Sequence, residues 1–233
     1  MSGAGGSIAF DRAAGYYDQS RGLPGGVDEL VADRIEAAVG RDGRLLELGV
    51  GTGRIALPLH RRGRRIVGVD LSVPMLDRYR AKAAALGLPP PVVLRADATR
   101  LPFRDACVDA VLEVHVLHLV PDWRQALAEA RRVLVPGGMV LVGGGGGHRG
   151  EGPRERVRHR FEELEPVSWE ERETYRQALE TVEGRMFSFQ WRLPDDVWQA
   201  AITRLRAEVA DTVPDLDAPH PSRHTFTLTA VRF

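Results

Sequence analysis

Three glycines at alternate positions, Gly49, Gly51 and Gly53, close an apolar run that begins at Leu45, and a helical pattern starts directly after them at Arg54. A strand that empties into such a loop lets the backbone turn tightly and approach a ligand that any β-carbon would hold away. An acid, Asp70, ends the next apolar run, Arg65 to Val69, where its carboxylate could accept both hydroxyls of a ribose. Loop and acid together have the layout of a nucleoside-cofactor site, although glycine-rich turns between strand and helix are common by themselves. The dinucleotide fingerprint G-x-G-x-x-G would place its third glycine one residue later. A nicotinamide-dependent oxidoreductase is therefore the rival reading.

Elements able to position these residues alternate along the chain. Strands are expected at Arg44 to Leu48, Arg65 to Val69, Pro91 to Arg95, Val108 to Val114 and Gly138 to Gly143, with helices at Val27 to Val39, Arg54 to Arg61, Pro74 to Leu86 and Trp123 to Leu134. Leu30, Val31, Ile35, Ala38 and Val39 fall on one face of the first helix, and Pro136-Gly137-Gly138 stops the last one. Apolar strands separated by helices make a parallel sheet covered on both faces. Its ligands bind past the carboxyl ends of the strands, near the switch in strand order. Gly49 to Gly53, Asp70, Asp97 and the segment Glu113 to His118 all fall at such ends, so one crevice can collect them.

The C-terminal third reads differently. After a glycine run come Arg- and Glu-rich helical patterns at Arg154 to Leu164, Glu171 to Gly184 and Pro194 to Ala210, which suit a lid or substrate wall. Thr225 to Val231 alternates in polarity, as a strand closing the sheet should. The 233 residues fit a single domain, with residues 1–40 as an N-terminal lid and helix, 41–143 as the cofactor-binding core and 144–233 as the substrate wall and closing strand.

Lys+Arg and Asp+Glu balance at 32 each, which leaves no global field for nucleic acid or an anionic membrane. Arg61, Arg62, Arg64 and Arg65 form a local cluster that reads as solvated surface. A lone cysteine, Cys107, excludes an intramolecular disulfide and a Cys-rich metal site. No apolar run reaches the roughly 20 residues of a membrane span, and the Gly/Ser-rich start lacks a basic-then-apolar signal. The expectation is a soluble cytoplasmic protein, and its oligomeric state is unknown from sequence.

Six ordered motifs carry a family resemblance from about Phe10 to Gly143: Phe10-Asp11-x-x-Ala14-x-x-Tyr17-Asp18-x-x-Arg21; Glu47-x-Gly49-x-Gly51-x-Gly53; Val69-Asp70-Leu71-Ser72-x-x-Met75-Leu76; Ala96-Asp97-Ala98-x-x-Leu101-Pro102-Phe103; Val114-His115-Val116-Leu117-His118-x-x-x-Asp122; and Arg132-Val133-Leu134-x-Pro136-Gly137-Gly138. The chain resembles the class I S-adenosylmethionine-dependent methyltransferases, most closely the branch of ubiquinone/menaquinone-biosynthesis and related small-molecule enzymes. The resemblance implies an α/β fold, a doubly wound, mostly parallel seven-stranded Rossmann-like sheet with a helical lid. It implies S-adenosylmethionine as cofactor, S-adenosylhomocysteine as product and a small-molecule methyl acceptor as partner. By the same resemblance Glu47 would order the loop and meet the amino-acid part of the cofactor, with Gly49, Gly51 and Gly53 beside its adenosyl moiety. Asp70 would hold the ribose, Leu71 and Met75 would pack on the adenosine, and Asp97 with the backbone of Ala98 would meet adenine. Tyr17 and Arg21 match positions that fold over the cofactor, Arg21 on its carboxylate. The alternatives are strand-end caps or turn formers for the acids and a surface pair for Tyr17 and Arg21.

Methyl transfer is an in-line displacement from a sulfonium, so alignment in a dry site can supply most of the rate. A base is needed only if the acceptor must lose a proton. His115 and His118 follow the fourth strand where the methyl group should point, and imidazole titrates near neutrality. If the strand runs on, their odd spacing puts them on opposite sides, so at most one faces substrate; His118 is preferred because the family pattern often has histidine there. His148 is a weaker candidate, and packing or capping is the alternative for each. No metal is expected, although Glu113 and Asp122 keep an acid site open. The absence of Asn/Asp-Pro-Pro-Tyr and of a Pro-Cys nucleophile disfavours nucleic acid as substrate. A non-catalytic protein that keeps the cofactor pocket is the remaining alternative.

Overall fold

The computed structural model describes residues 11, 14–15, 17–18, 22–145, 162–185, 190 and 193–233. Along them run α1 (Val27–Val39), β1 (Leu45–Leu48), α2 (Ala56–Arg61), β2 (Ile66–Asp70), α3 (Val73–Ala85), β3 (Val92–Arg95) and β4 (Val108–Val114). A 3-10 turn (Leu117–Leu119), α4 (Trp123–Val133), β5 (Leu134–Gly145), β6 (Glu162–Glu163), β7 (Val167–Glu173), α5 (Tyr175–Glu183), α6 (Asp195–Thr212) and β8 (His220–Arg232) follow.

The strand order is β3-β2-β1-β4-β5-β8-β6, with β7 also paired to β8. The first five strands of that order are parallel; β8 returns antiparallel to β5, and β6 and β7 run antiparallel to β8. The place beyond β8 is thus filled by two short strands, giving eight where seven were expected. All four residues of β1 are buried, as a central strand covered on both faces requires. One apolar layer gathers Ile35, Leu59, Leu76 and Tyr79, and the other gathers Ala126, Ala130 and Val133 of α4.

Local chemistry sets the element ends. Ser72 caps α3 by accepting the Met75 N–H at 3.3 Å, with Pro74 in the first turn where its missing donor costs nothing. Asp122 caps α4 by accepting the Gln125 N–H at 3.0 Å. Asp122→Ala should lower stability by about 1 kcal/mol, the usual worth of an N-cap, measured as a shift of the urea midpoint at unchanged slope. The helix passes straight into β5, and Pro136-Gly137-Gly138 lies inside that strand instead of in a loop. It makes a bulge there: Leu134 pairs with Val108 while Met139 pairs with Ala110. Gly137, at φ 79°, donates its N–H to the Phe233 carbonyl at 2.9 Å, which anchors the end of the closing strand.

Three sequence expectations are corrected. The buried stripe of α1 is Val27, Val31, Ala32 and Ile35, whereas Leu30 is 46% exposed. The arginine cluster is not simply solvated: Arg62 reaches Glu29 at 2.6 Å, Asp33 at 2.8 Å and Glu36 at 3.0 Å. The Arg64 side chain is only 3% exposed and donates to the Gly40 carbonyl at 2.6 Å. These pairs bind α1 to the turn before β2. Finally, Glu162 and Glu163, expected near the end of a helix, and residues 171–173, expected to begin one, are strand, because β8 offers them a paired edge; the helix starts only at Tyr175, behind a capping box of Thr174 and Gln177. No helix among the described residues is long and apolar enough to cross a membrane.

Candidate active site

β1 and β4 are neighbours whose following strands lie on opposite sides of the pair, β2 beyond β1 and β5 beyond β4, so a crevice opens past their carboxyl ends. A cleft lies there, lined by Tyr17, Gly49, Gly51, Asp70, Leu71, Met75, Asp97, Ala98 and His115. Val69, Ala96, Val114, Val116, Leu119 and Val120 add apolar walls to which sequence reading assigned no site role. Their signal was present in the apolar ends of the strands and of the 3-10 turn.

The loop glycines all hold positive φ, 62° at Gly49, 55° at Gly51 and 79° at Gly53. Gly51 borders the cleft, and a β-carbon there would meet the Met75 methyl at 3.3 Å. Asp70 fixes this turn: its two oxygens accept the N–H groups of Gly51 at 2.9 Å and of Ser72 at 2.8 Å. Burial pushes its pKa up, against the backbone donors of Ser72, Gly51 and Leu71 that favour the ionised form. A carboxylate has about four lone-pair positions, so these two bonds leave acceptor capacity for a ligand. Asp97 forms the turn that was the alternative weighed for it, and it also borders the cleft. Its Oδ1 accepts both the N–H and the hydroxyl of Thr99 at 2.9 Å.

Two of the expected site residues lie beneath the loop, outside the cleft lining. A β-carbon on Gly53 would stand 2.5 Å from the Tyr79 ring, so packing accounts for this glycine. Glu47 is 3% exposed, and its Oε2 has no hydrogen-bond partner among the described residues. Burial pushes its pKa up to about 8, with Asp70 adding to the shift and Arg54 opposing it. The folded state therefore keeps this proton up to pH about 8, while the unfolded chain releases it near 4.5. Between these values the folded form binds more protons, so stability falls as pH rises. Unfolding at pH 5.5 and 8 should show wild type losing about 3 kcal/mol more than Glu47→Gln over that interval.

Glu113 directs the chain after β4. Its buried carboxylate accepts the N–H groups of Val116 at 2.7 Å and Leu117 at 2.8 Å, which winds the backbone into the 3-10 turn. His115 takes φ 58° at this bend, an uncommon conformation for a side-chain-bearing residue, and turns half-buried into the cleft. His118 is exposed on the 3-10 turn and does not line the cleft. His115, and not His118, thus borders the cleft, because the strand ends at Val114 and does not run on. Glu113 and Asp122 are spent on backbone N–H groups, and among the described residues no group of three His, Cys, Asp or Glu is set to hold a metal ion.

The sequence motif around Tyr17 hid a further partner. Asp18 accepts the buried Thr52 hydroxyl at 2.5 Å and the Lys82 ammonium at 3.0 Å, and Lys82 also reaches Thr52 at 3.2 Å. This cluster ties the segment carrying Tyr17 to the glycine loop and α3. Arg21 and His148 lie outside the described residues.

Residues 46–142 match the family described as "Methyltransferase domain". The chain is 45% identical over 101 residues to a demethylmenaquinone methyltransferase of Thermus thermophilus, a match that covers 42% of this chain and 46% of that protein. It is 39% identical over 128 residues to a phosphatidylethanolamine N-methyltransferase of Cereibacter sphaeroides, covering 54% and 61%. Among solved structures, the 4+2 cyclase SpnF shares the fold, with a TM-score of 0.54 and 22% identity over 88% of this chain and 79% of that one.

Proposed function

We propose that the chain binds S-adenosylmethionine in the cleft past β1 and β4 and transfers its methyl group to a small molecule, a reading supported by the match of residues 46–142 to the methyltransferase-domain family. The observation that carries this reading is the convergence of Gly51, Asp70, Asp97 and His115 on one cleft. The residues fit the cofactor: a loop with no β-carbon at Gly51, two acids on an apolar floor, and a buried carboxyl oxygen of Glu47 left without a partner among the described residues. When bound, the cofactor supplies an electrophilic methyl group on a sulfonium.

The protein's task is binding and alignment. Asp70 would accept the ribose hydroxyls with the lone pairs that Gly51 and Ser72 leave, while Leu71 and Met75 cover the adenosine. Asp97 and the Ala98 backbone would take the adenine edge, and Glu47, protonated in the unliganded fold, would give up its proton as the positive amino-acid end approaches from above the loop. Tyr17, held by the Asp18 cluster, would cover the site; Arg21 keeps the role that its motif suggests, on the cofactor carboxylate. The apolar residues Val114, Val116, Leu119 and Val120 exclude water, so charge dispersal in the transfer is not opposed by solvent reorganisation. His115 is placed to take a proton from an acceptor hydroxyl. His115→Ala should lower kcat by roughly 10²-fold if the acceptor must be deprotonated, with near-normal cofactor affinity, whereas His118→Ala should leave kcat unchanged.

Choice of acceptor falls to segments outside residues 46–142, since the two relatives' names already specify different acceptors. Incubation with methyl-labelled S-adenosylmethionine and a panel of quinol, phenol and amine acceptors should give labelled product and S-adenosylhomocysteine in equal amounts. Absence of S-adenosylhomocysteine binding would overturn the reading. The shared fold of a protein named as a cyclase favours a second reading, a chain that keeps the cleft but performs no methyl transfer. It predicts binding without turnover on every acceptor.

A further inference from the structure

We propose that a second cleft, at the opposite edge of the sheet, binds an anion carried on a flat apolar body. This cleft lies at the amino ends of β1, β2, β3 and β4, on the far side of the sheet from the proposed methyl-transfer site. Its charge is one-sided: four arginines and His60 line it, and among the described residues no Asp or Glu does.

Two of those arginines are already committed. Arg44 holds Asp109 through two side-chain bonds, at 2.9 and 3.0 Å, and Arg64 faces Glu36 at 3.5 Å. The charge left without an ion pair among the described residues is that of Arg65 and Arg104, both exposed. An anionic occupant would meet these two guanidinium groups first.

The walls set the shape of that occupant. Pro89 and Pro90 are exposed, Val92 on the outer strand is 60% exposed, and the Phe103 ring borders the same space. A small inorganic ion would leave these surfaces wet. A ring system bearing a carboxylate, sulfonate or phosphate would cover them while its charge meets Arg65 and Arg104. Tyr79 also borders the cleft, but its ring packs on Gly53, so substitutions there would disturb the glycine loop and are unsuitable as tests.

The probe is 1-anilinonaphthalene-8-sulfonate, titrated into the full chain by fluorescence with S-adenosylhomocysteine present. The expected result is one saturable site per chain, weakened roughly tenfold in R65E/R104E, which corresponds to about 1.4 kcal/mol. V92E, which sets a carboxylate on the exposed apolar wall, should weaken it as well, and keeps the test decisive if the double variant fails to fold. R204E, a reversal on the distant α6, should bind as wild type does. Absence of saturable binding, wild-type affinity in R65E/R104E and V92E, or an equal loss in R204E would overturn the proposal. Because the readout is probe binding, failure of the methyl-transfer reading would leave this result intact.

Discussion

Replacing Asp70 with alanine is expected to weaken S-adenosylhomocysteine binding by roughly 10- to 100-fold, or about 1.4–2.8 kcal/mol. Two effects combine in that figure. The carboxylate is the proposed acceptor for the ribose, and it already holds the N–H groups of Gly51 and Ser72, so its loss also frees the loop that shapes the cleft. Stability should fall too, by roughly 2–3 kcal/mol, since two partly buried backbone donors lose a charged acceptor. Calorimetric titration and urea unfolding of the same variant separate the two contributions. Asp70→Asn, which retains one carbonyl oxygen, should recover part of the stability and less of the affinity. Affinity equal to wild type in the alanine variant would remove Asp70 from the binding site.

Gly53→Val should cost more in stability, roughly 3 kcal/mol or more, because overpacking and an unfavourable backbone conformation act together. The added carbons would enter the Tyr79 ring, and a β-branched residue would be forced to φ 79°. Tyr79 is 1% exposed and sits in the main core, so it cannot swing into solvent to make room. Against a typical total stability of about 5–15 kcal/mol, such a loss is a large fraction and should appear as a marked drop in the urea midpoint. Truncating the ring as well, in Gly53→Val with Tyr79→Leu, should recover part of the loss, because the steric conflict is then relieved while the backbone strain remains. A Gly53→Val variant as stable as wild type would contradict the packing role assigned to this glycine.

The parallel half of the sheet was legible in sequence because its strands are buried on both faces and bounded by turn chemistry. β4 begins and ends where its apolar run does, at Val108 and Val114, and α1 spans its expected Val27 to Val39. The cleft was legible for a related reason, since strand ends in a doubly wound sheet share one edge and Gly51, Asp70 and Asp97 each follow a strand. What failed depended on contacts distant in sequence. Residues 167–173 carry the charged, helix-compatible side chains of an exposed segment, yet pairing with β8 made them a strand, with Ser168 bonded to Thr225 at 3.0 Å and Trp169 stacked on His224. Tertiary pairing overrode local preference there. Arg62 and Arg64 looked like surface because their acidic partners lie about 30 residues earlier, on α1. His118 was favoured on the pattern of a motif, but the bend that chooses His115 is made by Glu113 and the N–H groups of Val116 and Leu117, a local hydrogen-bond arrangement invisible in residue types alone.

Co-crystallisation with S-adenosylhomocysteine tests the proposed binding mode most directly. The adenosyl group should occupy the cleft with its ribose on Asp70 and its adenine beside Asp97 and Ala98, leaving the sulfur toward the side lined by His115. Density for the compound elsewhere on the chain, or a cleft that stays free of it at saturating concentration, would contradict the assignment of this crevice to the methyl donor.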